Sequence, residues 1–429
     1  MSKNRTPFPK LFWTANLIEV FERFTYYGIY ISFGIYMEML GFSKSQLGSI
    51  QGIFLFLSYV IPVISGTFAD RYGFKKVLIV SYLAYLPSIL LLLYTKTYGG
   101  IALTMISIGL AAGIFKPLIS GTVRAVTDGT NKTLGFGIFY NMVNIGATFG
   151  PLIAAKLRVL SWNYAFIAAA ASIGFMLVIT LLFYKDPPRD IKGKTLGEKF
   201  KDIGIALSDI RFLFFLIILG LFFWAPFWSF FNVAAMYVEF QVDTATLYEN
   251  IRAVTGTWFA NLISKEDNGV HKILGESIAN SAYYIILFQL LVSNVVKRFR
   301  AIPVLSAGLV IIASGYICMG LARTLAPAWF LAGVLLFATG EMTASPRIQE
   351  YITWLAPKEK AGLYMGTNFL ALGIGGTISG FIFTRLYGQF KDYLQAERFW
   401  FWMAVIMVAG MVIINLYIKI FGEFREMEK

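Results

Sequence analysis

Long apolar runs separated by short polar breaks organise this chain from end to end. Twelve can be marked, at 11–37, 45–68, 77–95, 99–122, 134–155, 163–184, 212–238, 273–296, 302–322, 328–354, 361–384 and 399–421. A bilayer core is about 30 Å thick and a helix rises about 1.5 Å per residue, so about 20 largely apolar residues make one span. In lipid each backbone N–H and C=O must be satisfied within its own segment, which selects helices. The pattern therefore predicts an all-α membrane protein with 12 transmembrane helices. The longest polar break on the inner side, 185–211, opens on Pro187-Pro188 and continues as a short basic amphipathic helix. It divides the chain into an N-terminal six-helix bundle (1–184), a cytoplasmic linker (185–211) and a C-terminal six-helix bundle (212–429). Within the second half a polar insert at 239–272 lies on the outer side. Its middle, TLYENIRAVTGTWFANLI, spaces apolar residues as one or two surface helices would.

Composition supports this division. Charged residues are 14% and hydrophobic ones 57%, with mean hydropathy +0.67, whereas a soluble domain carries about 25% charged residues. The formal charge of +13 would suit a nucleic-acid binder, but its distribution does not. Of 37 Lys and Arg, 23 fall on inner segments, 11 on outer loops and three inside spans (Arg23, Lys116, Arg347). That is the positive-inside asymmetry, which predicts both termini in the cytoplasm of a multi-pass cell (inner or plasma) membrane protein. The first apolar stretch contains Glu19, Glu22 and Arg23 and outruns a signal h-region, so it reads as an uncleaved span. Cys318 is alone in an apolar span and His271 alone in an outer loop, read as solvated. With no His or Cys cluster, neither an enzyme nor a metal or cofactor site is expected.

Ionisable residues inside spans change the picture most, since each costs at least about 2.5 kcal/mol at the bilayer centre and so marks a pathway. Spacings of three and four put Glu19, Glu22, Arg23, Tyr26 and Tyr30 on one broad face of the first span, with Tyr27 beside them. Two carboxylates against one guanidinium leave a surplus of acid that favours proton uptake in a low-dielectric cavity. The fourth span carries Lys116, for which snorkelling to the cytoplasmic side is the competing reading. The tenth carries Glu341, too deep to snorkel, and nearer the inner surface Arg347 and Glu350, spaced as a local structural pair.

Several motifs resemble known families. Between the second and third spans the chain reads G-T-F-A-D-R-Y-G-F-K-K, Gly66 to Lys76. This resembles the G-x-x-x-D-R-x-G-x-K/R-K/R loop of the major facilitator superfamily, a fold of two six-helix bundles around a midplane cavity. In it Asp70 and Arg71 sit at a span end, while Gly66 and Gly73 allow close packing and a tight turn. The run E-V-F-E-R-F-T-Y-Y-G, Glu19 to Gly28, resembles the E-x-x-E-R-F-x-Y-Y-G motif of proton-coupled oligopeptide transporters. Further similar runs are G-I-F-K-P-L-I-S (Gly113–Ser120), F-Y-N-M-V-N-I-G-A (Phe139–Ala147) and G-E-M-T-A-S-P (Gly340–Pro346) with later L-A-P and M-G. The resemblance implies that Glu19 and Glu22, with Arg23, couple protonation to transport. It also implies that Arg23 and Lys116 attract a substrate carboxylate, Tyr26 and Tyr27 line the cavity, and Asn144 and Glu341 hold an amino group.

The departures are equally specific. Where the family's seventh span reads F-W-x-x-F-E-Q, this chain has F-W-A-P-F-W-S, so Trp228 replaces the Glu that partners the first-span Arg, and Ser229 replaces the Gln. Asn280-Ser281 stands for Asn-Pro, Asn368 for a Trp and Leu118 for an Asn. Arg23 is therefore expected to find its acid within its own span, with Trp228 as an apolar wall. The combined expectation is a monomeric, proton-coupled symporter of small zwitterionic or carboxylate-bearing solutes, di- and tripeptides foremost. Its partners are substrate, protons and the bilayer, not nucleic acid. The alternative is a proton-antiporting exporter of amphipathic compounds, which the 40 Phe, 23 Tyr and 9 Trp would also suit.

Overall fold

A computed structural model describes residues 7–128, 130–187, 195–355 and 361–422. The basic residues Lys3, Arg5, Arg189, Lys192, Lys194, Lys358, Lys360, Arg425 and Lys429 lie outside the described residues, as does part of the linker. The elements run α1 (Lys10–Met39), α2 (Lys44–Val60), α3 (Pro62–Tyr72), α4 (Phe74–Leu91), α5 (Tyr98–Ala125), α6 (Lys132–Leu160), α7 (Trp162–Phe183) and α8 (Leu196–Leu207). They continue as α9 (Ile210–Leu219), α10 (Ala225–Gln241), α11 (Thr244–Thr255), α12 (Thr257–Leu262), β1 (Ser264–Asp267), β2 (Val270–Ile273), α13 (Gly275–Ile278) and α14 (Ala282–Val296). Last come α15 (Ala301–Thr324), α16 (Trp329–Leu355), α17 (Ala361–Thr367), α18 (Phe369–Ile378), α19 (Arg385–Asp392) and α20 (Arg398–Phe421). Two π-helical segments, Gly220–Trp224 and Ser379–Thr384, interrupt the seventh and eleventh apolar runs.

Among the described residues nine helices are long and apolar enough to cross a membrane, ten if the α2–α3 pair is one bent span. The twelve apolar runs of the sequence exceed that count for a physical reason. α1, at 30 residues, and α16, at 27, have the length but carry charged residues within their apolar runs. The second run is bent by 44° where Pro62 starts α3, because proline cannot donate the backbone hydrogen bond that would continue the helix. The eighth run is broken at Ala279–Ser281 between α13 and α14.

By its contacts the chain forms two compact units, Met1–Tyr36 with Ile53–Lys199, and Met37–Gly52 with Phe200–Lys429. In the first unit α5 and α6 use glycines to approach their neighbours. A Cβ at Gly113 would lie 2.6 Å from the Leu57 carbonyl oxygen, and one at Gly150 2.3 Å from that of Phe24. Small residues are what allow such contact in lipid, where apolar burial alone gives helices no reason to associate. The loop motif closes on Gly73, whose φ of 99° makes a one-residue turn between α3 and α4. Gly66 departs from expectation: a Cβ there meets nothing within 4 Å, so it supports no close packing.

The second unit takes in 37–52 through a buried polar network that the sequence reading did not anticipate. Thr384 Oγ1 donates to Gln51 Oε1 at 2.8 Å, Gln51 Nε2 to the Asn232 carbonyl at 3.2 Å, and Asn232 Nδ2 to Ser379 Oγ at 2.8 Å. Glu38 accepts from Lys44 at 2.5 Å and also pairs with Lys391. The insert at 239–272 forms α11 and α12 as expected, but also an antiparallel hairpin of β1 and β2 that no helical spacing could reveal. His271, read as a solvated loop residue, lies on β2 with its ring stacked on Tyr248 at 4.6 Å.

Candidate functional site: two buried clusters of charge

The first unit gathers its charges around α1. Glu19 and Glu22 are fully buried and Arg23 is 7% exposed. Arg23 Nε donates to Glu19 Oε1 at 2.7 Å and lies 3.2 Å from Glu22 Oε2. The guanidinium thus finds both its acids on its own helix. The reason is local and steric as well as electrostatic: Glu19 is one turn away, and Gly146 brings α6 against this turn so closely that a Cβ there would come within 2.6 Å of Arg23 Cβ. Breaking such a buried pair leaves an uncompensated charge, at a cost of about 3–5 kcal/mol.

Lys116 does not reach for the surface. Its Nζ sits 3.7 Å from the Tyr59 ring centroid and 4.6 Å from that of Tyr26, and donates to the Ser58 carbonyl at 3.1 Å. Two aromatic faces and one carbonyl hold the ammonium in place of a carboxylate. Tyr26 stacks on Tyr30 at 5.9 Å and meets Tyr27 edge-on at 5.2 Å. Asn144, on α6, is 5% exposed and its Nδ2 donates back to the Tyr140 carbonyl at 2.9 Å. At the end of α3, Arg71 lies over the Tyr72 ring and Asp70 is part-buried, while Lys75 ties α4 to the end of α7 through the Leu181 carbonyl at 2.9 Å.

Sequence reasoning missed three contributors here: Ser58 and Tyr59 on α2, and Tyr85 on α4, whose hydroxyl donates to Glu22 Oε1 at 2.9 Å. A signal for Tyr85 did exist. Ser81, Tyr85 and Ser88 recur at i, i+4 and i+7 in an otherwise apolar run, and all three are buried.

The second unit builds its site where the helix is interrupted. Asn280 accepts the Ala282 N–H at 3.0 Å through Oδ1, so its side chain caps the start of α14. Next to it Ser281 Oγ donates to Glu341 Oε2 at 3.0 Å. Ile285 packs on Ala338 and Met342, which holds α14 against the Glu341 turn of α16. Arg347 pairs with Glu350 and donates to the Val296 carbonyl at 2.5 Å, a helix-joining role rather than a ligand-facing one. Trp228 is 2% exposed and packs between Phe227 at 5.6 Å and Phe231 at 5.5 Å, in an aromatic cluster that includes Phe230 and Phe337.

A profile of the Major Facilitator Superfamily matches residues 15–264, more than half of the sequence. The chain belongs to that superfamily. An uncharacterized transporter of Bacillus subtilis (strain 168), YclF, is 24% identical over 449 aligned residues, covering 87% of this chain and 88% of its own. A crystal structure of a POT family transporter in complex with 5-aminolevulinic acid superimposes with a TM-score of 0.76 at 21% identity, covering 95% of this chain and 96% of that one. A crystal structure of the peptide transporter POT in complex with sulfate gives 0.76 at 19% identity, covering 98% and 97%. These identities establish the shared fold. This superfamily member is accordingly a multi-pass membrane transporter, not an enzyme.

Proposed function

We propose that this transporter is a proton-coupled symporter of small zwitterionic or carboxylate-bearing solutes, short peptides foremost. The observation that carries the reading is the acid surplus on α1, where two fully buried carboxylates share one guanidinium. A single Glu–Arg pair would suffice for a structural staple, whereas a second buried carboxylate, which faces Lys116 as well, is a group whose charge a proton or a positively charged solute can neutralise. Glu19, Glu22 and Arg23 form the coupling group. Arg23 and Lys116 attract the substrate carboxylate, with Tyr26 and Tyr27 beside them, Asn144 and Glu341 receive the amino group, and Asn280 lies among the substrate-binding residues. Trp228 favours a substrate with an apolar or aromatic side. The 5-aminolevulinic acid bound by the POT family neighbour of the same fold has this dipolar chemistry.

The topology that goes with this reading has twelve spans in two six-helix halves, 1–184 and 212–429, with both termini cytoplasmic in a cell membrane and the monomer as the working unit. The test is a coupling mutant in proteoliposomes. Glu22→Gln is expected to abolish accumulation driven by an inward proton gradient while leaving counterflow exchange measurable. A mutant that still concentrates substrate against its gradient would show that protonation on α1 is not the coupling step. Gradient-driven efflux by the wild type would instead favour the exporter.

A further inference from the structure

Tyr85 lies outside every motif that the coupling group contains, yet it is fully buried and its hydroxyl is 2.9 Å from Glu22 Oε1. Its position is fixed from two sides. One turn earlier Ser81 Oγ donates to the Ala111 carbonyl of α5 at 2.9 Å, and Tyr82 Oη accepts from Thr180 of α7 at 3.2 Å. These bonds set the rotation of α4, which turns Tyr85 onto α1. The groups facing Glu22 are then Glu19, Arg23 and Tyr26 from α1, Tyr82 and Tyr85 from α4, and Lys116 from α5.

Among these groups the two acids are held differently. Arg23 donates to Glu19 Oε1 at 2.7 Å and also lies 3.2 Å from Glu22 Oε2. Glu22 receives in addition a phenol, which donates to a carboxylate and accepts from a carboxylic acid. Tyr85 can therefore keep hold of Glu22 in both charge states. From this the geometry points to Tyr85 as a positioning residue for proton coupling: it orients Glu22 and sets the pH at which that side chain gains its proton. The step itself is the addition of one proton from the gradient to the Glu22 carboxylate, and its loss on the other side. This inference rests on the reading of the α1 cluster as the coupling group.

Tyr85→Phe keeps the ring and removes the donor. Ionised Glu22 then has a buried oxygen without its hydrogen bond, so the neutral form is favoured and protonation occurs at higher pH. Infrared titration of the purified protein reads this without any substrate: the carboxylic C=O band that disappears in Glu22→Gln reports protonated Glu22. Its midpoint is expected to move up by about one pH unit or more in Tyr85→Phe, since a hydrogen bond to a charged group is worth about that much. The same shift should persist in a Glu19→Gln background and be absent in Glu22→Gln. An unmoved midpoint, or no band lost in Glu22→Gln at any pH, overturns the role of Tyr85. In proteoliposomes the pH for half-maximal uptake should follow the infrared midpoint. A shifted band in a protein that shows no proton-dependent uptake would leave Tyr85 as Glu22's partner and refute the symport reading instead.

Discussion

In the proposed function Lys116, held on two tyrosine faces, is the group that meets an anionic ligand. A carboxylate offers Lys116 a charge-assisted hydrogen bond, which its ring contacts do not supply. Lys116→Ala should therefore weaken carboxylate-bearing solutes by about tenfold or more and leave their amidated analogues within about twofold, as measured by competition binding. Equal losses would mean that the lysine serves packing alone. The charged members of both clusters were legible in the sequence because charge inside an apolar run is costly and so stands out. Ser58, Tyr59 and Tyr85 were not, because hydroxyls and rings cost little in a span and act through helix rotation, which only tertiary contacts fix. The internal pairing of Arg23 was legible too, from the Trp at position 228 and the i, i+4 spacing of Glu19.

Among the helices, two glycine substitutions separate steric need from sequence pattern. A Cβ at Gly380 would stand 2.2 Å from the Gly52 nitrogen and 2.5 Å from its Cα, whereas one at Gly66 would meet nothing within 4 Å. Gly380→Ala is expected to cost about 1–3 kcal/mol through overpacking, seen as a fall of several degrees in thermal unfolding in detergent. Gly66→Ala should lose nothing, since alanine is the better helix former. A parallel test addresses the polar network. Thr384→Val leaves Gln51 Oε1 without its donor at a residue 1% exposed, a cost of about 1–3 kcal/mol. Adding Gln51→Leu removes the orphan, so the double variant should be less destabilised than the sum of the two single ones. In the insert, Asp243 caps α11 by accepting from the Thr246 N–H at 3.0 Å. The Thr246 hydroxyl and N–H hold its carboxyl below the usual range. The contribution of this cap is present above the ordinary carboxylate pKa and is lost as pH falls through the depressed one. Asp243→Ala should raise hydrogen exchange across Thr244–Thr255 at neutral pH, with the difference from wild type vanishing in acid. Hydropathy located most of these helices to within a few residues. It could not locate the π-helical segments or the bend at Pro62 in detail, because α and π turns bury nearly the same residues. The β1–β2 hairpin escaped because four-residue strands on a polar surface leave no apolar period.

At the scale of the whole molecule, sequence pattern and structure meet on a superfamily transporter in which residues 37–52 group with the C-terminal part of the chain. No hydropathy plot assigns that grouping, since it rests on Glu38, Gly48 and Gln51 meeting 379–391. In the proposed function, the surplus carboxylate on α1 ties the movement of solute to that of a proton. The most direct measurement is the luminal pH of proteoliposomes that start with no pH difference. On adding an outward-to-inward dipeptide gradient, symport predicts that the lumen acidifies, and that Glu22→Gln abolishes the change. Alkalinisation of the lumen, or solute entry with no proton movement, would contradict coupling at Glu19, Glu22 and Arg23.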